Sequence, residues 1–379
     1  MIIGIDIRVL GSGTKSGVQE YTENLLAHLL PLNKSIKFKL FYSSFRNDLK
    51  KYEWMNLPNV EVFSFRFPIK ILFGLARLFN RPRIDKLVGG VNVFFSPHFL
   101  LAPLSSGCKR VTTFHDLSYI RFKELFSWRR NAWHKFQIRP SDWSNLSDKI
   151  IAVSQSTKKD LIEKYDLPSI KIRVIYSGTS DTVFRPPEDE MEAFKIKNNL
   201  PDKFILFLGK LEPRKNIPGL IRAFNLLKDS NEFEDLALVI VGSEGWLYDN
   251  IYREAKASRY KDRIIFKNYI KDEDRKFYYS LASVFVYPSF FEGFGFPPLE
   301  AMACGTPVIT SFNSSLPEVV GEGGILVDPN GVVDISMAIK NVLTDVGLRE
   351  VLVRKGIERA QVFVWNKCAR ETLDLLNNT

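Results

Sequence analysis

The stretch Glu292-Gly-Phe-Gly-Phe-Pro-Pro-Leu-Glu300, continued by Ala301-Met-Ala-Cys-Gly-Thr-Pro-Val-Ile-Thr-Ser311, predicts a turn, a short helix and a buried strand. Pro298 suits the first turn of that helix and Gly305 the position just past its end, where proline and glycine are respectively favoured. The apolar run Val284–Pro288 precedes the turn and predicts another strand. A strand–helix–strand order of this kind predicts a parallel sheet with right-handed crossovers.

The same stretch has the features of a loop that binds an anion and a sugar. Gly293 and Gly295 allow the backbone to approach a ligand closely, and the unpaired N–H groups of a helix start attract an anion such as a diphosphate. Glu300, one turn into the helix, is placed to accept hydrogen bonds from ribose hydroxyls, and Glu292 from sugar hydroxyls. The alternative is a tight turn with two solvated acids, but burying Phe294 and its aromatic neighbour around two glycines is costly for a mere connection.

Strands and helices alternate along the rest of the chain as well. Ile2–Leu10 leads through a glycine-rich loop to an amphipathic helix from Val18, and Ser154 is a predicted N-cap for a helix over Gln155–Lys164. The further strands predicted from apolar runs are Lys37–Tyr42, Val60–Phe65, Val91–Ser96, Arg110–Phe114, Lys149–Val153, Arg173–Tyr176, Phe204–Gly209, Leu236–Gly242 and Ile264–Lys267.

The length of 379 residues favours two domains, because single cores stop growing at roughly 250–300 residues. We predict two Rossmann-like α/β domains with parallel sheets facing a central cleft, over residues 1–178 and 188–358. Residues 179–187 are the predicted linker, since this region is rich in Gly, Ser, Thr, Asp and Pro. Ligands of such sheets bind beyond the carboxyl ends of the strands.

A basic loop follows the predicted strand that ends at Gly209. Its cations are Lys210, Arg214 and Lys215, within Lys210-Leu-Glu-Pro-Arg-Lys-Asn216. Loss of a nucleoside diphosphate builds negative charge on the departing phosphate, and fixed cations stabilise that charge without a metal ion. The alternative is a solvated basic loop. Asp272-Glu-Asp274 has a D-x-D spacing that could hold a metal ion, but acids are also favoured at a helix start, so no metal ligand is predicted.

Taken in order, these motifs resemble the retaining glycosyltransferase family 4, which has the GT-B fold. The resemblance covers nearly the whole chain. It includes Ala152-Val-Ser-Gln-Ser156, Val174-Ile-Tyr-Ser-Gly178, Ser315-Leu-Pro-Glu-Val319 and the end of the chain from Arg359-Ala to Trp365. In this family the last segment, here residues 359–379, forms a helix that crosses back to the first domain.

The resemblance implies site residues as well. His115 would contact the donor sugar and the transition state, and His115, Lys215 and Glu292 are the catalytic residues expected on this basis. Gly17 would place N–H groups near the donor phosphates; the loop before it lacks the Walker A glycine, so an NTPase is not predicted. The full set of expected donor-binding residues is Gly17, Lys210, Arg214, Lys215, Tyr269, Gly293, Phe294, Gly295, Phe296, Leu299 and Glu300.

Substrates are implied only by likeness to bacterial O-antigen and polysaccharide mannosyltransferases, which His115-Asp-Leu-Ser118 and Gly242-Ser-Glu-Gly-Trp246 resemble. This likeness implies a metal-independent hexosyltransferase that uses GDP-mannose, or else a UDP-sugar, as donor substrate and requires no cofactor. The acceptor would be a glycan or a polyprenyl-diphosphate-linked sugar. A nucleotide-sugar epimerase or a phosphorylase-like enzyme would keep the architecture, and a nucleic-acid-binding protein is suggested by charge alone, without a supporting motif.

The net charge of +10 is unevenly distributed. Residues 1–185 hold 29 basic and 15 acidic residues, whereas the remainder holds 24 and 28. The basic half suggests an anionic surface or substrate, although a solvated face is the alternative. The segments Arg66–Arg83 and Phe122–Arg139 mix cations with large apolar side chains, as in helices that lie in a membrane interface or pack in a core. Few, distant cysteines and an N-terminus without a signal pattern favour a cytoplasmic protein. If the basic-aromatic segments contact a membrane, the protein would be peripheral on its inner face.

Overall fold

The computed structural model describes residues 1–11, 16–45, 49–67, 69–100, 102–122, 140–179, 184–230 and 232–379. Within these residues the chain divides into two compact units. The first comprises residues 1–178 together with Val364–Thr379, and the second comprises Thr179–Phe363. The first unit therefore includes the end of the chain from Val364, whereas the segment expected to pack on it began at residue 359.

The first unit is a parallel α/β sheet with short helices. Its strands are β1 (Ile2–Asp6), β2 (Lys37–Ser43), β3 (Val60–Phe65), β4 (Val93–Ser96), β5 (Lys109–Phe114), β6 (Lys149–Ala152) and β7 (Ile172–Val174). Its first helices are α1 (Gly17–Leu29), α2 (Ile69–Phe79), α3 (Ile84–Leu87), α4 (Ser118–Arg121), α5 (Pro140–Leu146) and α6 (Gln155–Tyr165). The strand order is β3-β2-β1-β4-β5-β6-β7, with every pair parallel.

The second unit repeats this plan. Its strands are β8 (Phe204–Leu208), β9 (Ala237–Val241), β10 (Ile264–Lys267), β11 (Val284–Tyr287), β12 (Val308–Ser311) and β13 (Gly324–Val327), in the parallel order β10-β9-β8-β11-β12-β13. Its helices are α7 (Glu188–Lys197), α8 (Ile217–Lys228), α9 (Asp249–Ala257), α10 (Arg275–Leu281), α11 (Phe296–Ala303), α12 (Leu316–Val320), α13 (Val332–Thr344) and α14 (Val346–Ala360). The last helix of the chain, α15 (Trp365–Asn377), packs on α1 in the first unit.

The central strands are buried along their whole length, which explains their unbroken apolar sequences. Every residue of β8 and of β9 is buried, because helices cover both faces of a parallel sheet. β8 pairs with β9 on one side and with β11 on the other, so the loops after these strands start side by side. A Cβ on Gly242 would lie 1.9 Å from the carbonyl oxygen of Gly209, so the two loops approach at a distance that only glycine permits.

Several local predictions are confirmed. Ser154 caps α6, since its hydroxyl accepts a hydrogen bond from the Thr157 N–H at 3.0 Å. Gly305 follows α11 with φ +74°, the left-handed conformation expected after a helix end.

None of the helices in the described part of the chain combines the length and hydropathy needed to cross a membrane. The basic-aromatic segment Phe122–Arg139 lies outside the described residues except for Phe122.

Candidate active site

Four charged side chains gather where β8 and β11 end in the second unit. Lys215 Nζ donates to Glu292 Oε1 at 2.6 Å, and Arg214 Nη1 donates to Glu292 Oε2 at 2.8 Å. Arg214 Nε lies 2.5 Å from Glu212 Oε1. We call Glu212, Arg214, Lys215 and Glu292 the ion cluster. The loop with the cations and the loop with Glu292 meet because their preceding strands are hydrogen-bonded neighbours in the sheet.

Burial makes the ion cluster electrostatically strong. Glu212, Lys215 and Glu292 are all buried. Burial alone would raise the pKa of Glu292, but the charges of Arg214 and Lys215 outweigh it and lower this pKa to about 2. Burial, followed by the neighbouring Arg214 charge, lowers the pKa of Lys215 below its ordinary value. Lys215 also donates to Tyr287 Oη, and its Nζ lies 4.8 Å from the centre of the Tyr287 ring.

The glycine loop after β11 is fixed by two serines from the segment before α12. Ser314 Oγ accepts a hydrogen bond from the Glu292 N–H at 3.0 Å. Ser315 Oγ lies 3.0 Å from the carbonyl oxygen of Glu292 and 2.6 Å from that of Phe294. Gly295 has φ +113°, a conformation that disfavours any residue with a Cβ. The backbone beside Glu292 is therefore held before any ligand binds.

Two side chains of α10 hold the carboxylate of Glu300. Arg275 Nη1 lies 3.0 Å from Glu300 Oε1, and Tyr279 Oη donates to Glu300 Oε2 at 2.8 Å. Glu300 is 1% exposed, so only a small part of its carboxylate is accessible from outside the protein. Burial and then the Glu300 charge raise the pKa of Tyr279 well above its ordinary range, which keeps this hydroxyl a donor.

The other predicted donor-binding residues of this unit are distributed over its surface and core. Lys210 is exposed, and so is Tyr269, which follows β10 with 66% exposure. Phe294 and Leu299 are buried, and Phe296 is half-buried. Of the three cations in the basic loop, the structure therefore brings Arg214 and Lys215 together with Glu292 and leaves Lys210 on the surface.

His115 lies at the carboxyl end of β5 in the first unit. Its Nε2 donates to the carbonyl oxygen of Pro97 at 2.8 Å, since a carbonyl can only accept. Burial lowers the pKa of His115 to about 4, so the ring is neutral near pH 7 and its Nδ1 carries a lone pair. Thr157 Oγ1 donates to the His115 carbonyl at 3.2 Å, which fixes the backbone. The neutral ring is thus oriented to accept a hydrogen bond through Nδ1.

A buried polar cluster beside His115 was not predicted from the sequence. Asp6 ends β1 and forms a bidentate pair with Arg8, with Arg8 Nε 2.9 Å from Asp6 Oδ1 and Nη2 2.5 Å from Oδ2. His98 Nε2 lies 3.5 Å from the same carboxylate. Burial would raise the pKa of Asp6, but Arg8 and His98 hold it well below its ordinary range. The available signal was Asp-x-Arg at a strand end, the edge where ligands of parallel sheets bind.

Gly17 is the first residue of α1, with Ser16 as N-cap: the Ser16 hydroxyl accepts from the Gln19 N–H at 3.3 Å. The loop of residues 12–15 before it lies outside the described residues. Asp272-Glu-Asp274 forms a single turn before α10, where Asp272 lies 3.6 Å from Arg275. Within the described residues, no group of three or more His, Cys, Asp or Glu side chains is arranged to hold a metal ion.

Sequence comparisons identify the family to which the chain belongs. A family model described as Glycosyltransferase Family 4 matches residues 15–182, and one described as Glycosyl transferases group 1 matches residues 188–359. The O-antigen chain mannosyltransferase B of Escherichia coli is 34% identical over 292 residues, which are 76% of this chain and 74% of the relative. The chain belongs to glycosyltransferase family 4. The protein is therefore a glycosyltransferase, as the motifs in its sequence predicted.

Solved structures confirm the predicted GT-B fold of this family 4 glycosyltransferase. The sucrose-phosphate synthase of Thermosynechococcus elongatus matches with a TM-score of 0.79 at 22% identity, covering 100% of this chain and 98% of that one. Anabaena Alr3699/HepE, solved in complex with UDP and glucose, matches with a TM-score of 0.75 at 18% identity, covering 100% and 99%. At these identities the likeness concerns the fold of two Rossmann-like domains.

Proposed function

We propose that this glycosyltransferase is a retaining, metal-independent mannosyltransferase that uses GDP-mannose to extend a glycan or a lipid-linked acceptor of a surface polysaccharide. The observation that carries the proposal is the buried ion cluster, in which Lys215 and Arg214 are fixed beside Glu292 at the carboxyl ends of β8 and β11. The name of the Escherichia coli relative supports mannose and O-antigen synthesis. The UDP complex of the Anabaena structure supports a nucleotide-sugar donor.

The proposed role of Arg214 and Lys215 is to stabilise the departing diphosphate. Both cations are preorganised, so no reorganisation is needed when charge develops on the phosphate oxygen. In the structure Glu292 neutralises them, so a donor phosphate would take over part of that neutralisation when it binds. Glu292 would keep contact with the cations and accept hydrogen bonds from the sugar hydroxyls through its remaining lone pairs.

Retention of configuration fits a same-face substitution better than a covalent intermediate. Each oxygen of Glu292 is engaged by a cation, which makes this carboxylate a poor nucleophile. In the proposed step the bond between the anomeric carbon and the phosphate oxygen breaks, with its electron pair going to the phosphate. The acceptor oxygen forms the new bond on the same face, and its proton moves to the leaving phosphate. The neutral His115 would orient a sugar hydroxyl through Nδ1.

Calorimetry with GDP-, UDP- and dTDP-sugars tests the donor. We expect GDP-mannose to bind most tightly, and the product of the transfer, read by NMR, to keep the anomeric configuration of the donor. Tight binding of a UDP-sugar with no affinity for GDP-mannose would contradict the mannose assignment. Conversion of the donor sugar in the absence of any acceptor would indicate an epimerase instead.

Replacing Gly17 by alanine tests the proposed phosphate contact at the start of α1. Among the described residues, nothing lies within 4 Å of a Cβ at Gly17, so the fold accommodates the methyl group. A phosphate bonded to the N–H groups would not, and losing one hydrogen bond to a charged group costs roughly 10- to 100-fold in affinity. We expect unchanged thermal stability and weaker GDP-mannose binding by calorimetry.

The matched control is Gly74→Ala, another helical glycine whose Cβ would meet nothing within 4 Å. It should leave both stability and donor affinity unchanged or, as alanine favours helices, raise stability slightly. If Gly17→Ala binds GDP-mannose as tightly as Gly74→Ala does, the start of α1 does not contact the donor phosphates.

A further inference from the structure

Helix α2 of the first unit carries apolar residues on two faces. Its inward face packs in the core: Leu72 is 2% exposed within the cluster that contains Phe41 and Ile84, and Ala76 is 3% exposed against Trp143. Its outward face is also apolar. The outward residues recur at helical spacing and are largely exposed, namely Ile71 (56%), Leu75 (43%), Leu78 (75%) and Phe79 (66%).

The outward face is too large and continuous to be explained by scattered surface residues. Single exposed apolar side chains are normal, but four on one stripe of an 11-residue helix mark a contact surface. Phe67, which precedes the helix and is 46% exposed, extends the stripe at its start. We call Phe67, Ile71, Leu75, Leu78 and Phe79 the apolar stripe. Core packing, the alternative that the sequence left open for this segment, explains the inward face of α2 but not its outward face.

Cations border the apolar stripe, and acids are missing from its sequence. Arg66, Arg77 and Arg81 are exposed beside it. Residues 66–83 contain no Asp or Glu, and the next acid in the chain, Asp85, is buried and accepts a hydrogen bond from the Ser105 N–H. The surface therefore combines exposed apolar side chains with positive charge that no acid of the same segment compensates. That combination suits the headgroup region of an anionic bilayer, where apolar side chains insert and cations meet lipid phosphates.

The apolar stripe begins near the ligand-binding edge of its own sheet. Ser43 at the end of β2 donates through Oγ to the Phe67 carbonyl at 3.3 Å, and the Arg8 guanidinium lies 5.7 Å from the centre of the Phe73 ring on α2. Ligands of parallel sheets bind beyond these strand ends. A surface that rests on a bilayer here would bring that edge close to a substrate anchored in lipid.

We infer that α2 is a membrane-docking helix: the apolar stripe, flanked by Arg66, Arg77 and Arg81, binds reversibly to an anionic lipid bilayer. A nucleic acid would satisfy the cations but not the exposed Leu78 and Phe79, and a neutral protein surface would satisfy the apolar side chains but not the cations. The inference concerns this surface alone and does not depend on which sugar the enzyme transfers.

Sedimentation with lipid vesicles tests this inference. At low salt the full-length protein should pellet with phosphatidylglycerol–phosphatidylcholine vesicles and stay in solution with phosphatidylcholine alone, and added salt should weaken the binding. Each Arg at an anionic surface contributes roughly fivefold to affinity. Arg77→Gln with Arg81→Gln should therefore weaken binding by roughly 25-fold, and Leu78→Ser with Phe79→Ser should weaken it at every salt concentration.

Two control variants separate the apolar stripe from general charge and apolarity. Lys34→Gln with Lys37→Gln removes the same charge from exposed positions elsewhere in the first unit, and Ile196→Ser removes an apolar side chain that is 72% exposed in the second unit. Both should bind vesicles as the unaltered protein does. The inference is overturned if the unaltered protein ignores anionic vesicles at low salt, or if the controls lose as much binding as the α2 variants. It is also overturned if the protein binds single-stranded RNA at that salt but not vesicles.

Discussion

Replacing Lys215 by methionine is expected to lower kcat by roughly 10²–10³-fold while the protein stays folded. Methionine retains much of the side-chain volume but removes the ammonium that lies 2.6 Å from Glu292 and that would stabilise the departing phosphate. The loss should appear in kcat more than in KM, because the charge on the phosphate oxygen grows as the bond to the sugar breaks. Steady-state kinetics with the donor identified by calorimetry measure both constants.

Lys228→Met is the matched control for this substitution. Lys228 is also buried, but it lies at the far end of α8 from Lys215 and donates to the carbonyl oxygens of Phe233 and Glu234. It should lower stability and leave kcat unchanged. Equal losses of kcat in the two variants would mean that Lys215 acts through the fold rather than on the phosphate.

Adding a chelator tests whether the unaltered enzyme needs a metal ion. If fixed cations stabilise the leaving group, the unaltered enzyme should keep full activity in EDTA. Activity that disappears in EDTA and returns with Mn²⁺ would contradict metal independence and would direct attention to Asp272 and Asp274, which precede α10.

The sequence predicted those parts of the site that depend on local chemistry. The helix after the glycine loop, its proline-rich start and the glycine past its end follow from the residues of one short stretch, because caps and turns are decided by near neighbours. The same holds for Ser154, whose hydroxyl caps the helix that follows it directly. The parallel sheets were predictable as well, since both faces of each central strand are covered and the sequence is apolar throughout.

The pairing of charges across the sheet was not predictable in the same way. Lys215 and Glu292 stand 77 residues apart, and their contact depends on β8 lying beside β11 rather than beside β10. The sequence predicted that both carboxylates face a ligand, but it gave no indication that two cations hold Glu292 or that Arg275 and Tyr279 hold Glu300. Strand order and side-chain direction determine these contacts, and neither is encoded in the spacing of the motif.

The Asp6–Arg8 pair shows a related limit. Two oppositely charged residues two positions apart would ordinarily be read as a solvated turn, because charged side chains are rarely buried unless paired. Here the strand end buries both, and His98 from the neighbouring strand end completes the cluster. Recognising it requires knowing that β4 lies beside β1.

Glu292→Gln is expected to lower the free energy of unfolding by about 3–5 kcal/mol at pH 7, because it leaves the buried Lys215 without the carboxylate it is paired with, whereas Arg214 keeps Glu212. The pH dependence should identify the carboxylate. Its pKa in the folded protein is about 2, below the ordinary 4.5, so its contribution to stability is fully present above about pH 4.5 and is lost as the pH falls towards 2. Denaturant unfolding of the two proteins across this range should show a difference that shrinks with acidification.

The same substitution should separate nucleotide binding from transfer. Glu292→Gln removes the anion that competes with a donor diphosphate for Arg214 and Lys215, so affinity for GDP alone should be kept or increased, while transfer falls by roughly 10²-fold or more. Glu300→Gln should weaken the binding of GDP, since this carboxylate is expected to hold the ribose. Calorimetry with GDP compares the affinities of the two variants. If both variants lose nucleotide affinity equally, Glu292 supports the fold of the nucleotide site and does not face the sugar. A loss of GDP affinity in Glu292→Gln alone would mean that Glu292 positions Arg214 and Lys215 for the phosphate rather than competing with the phosphate for them.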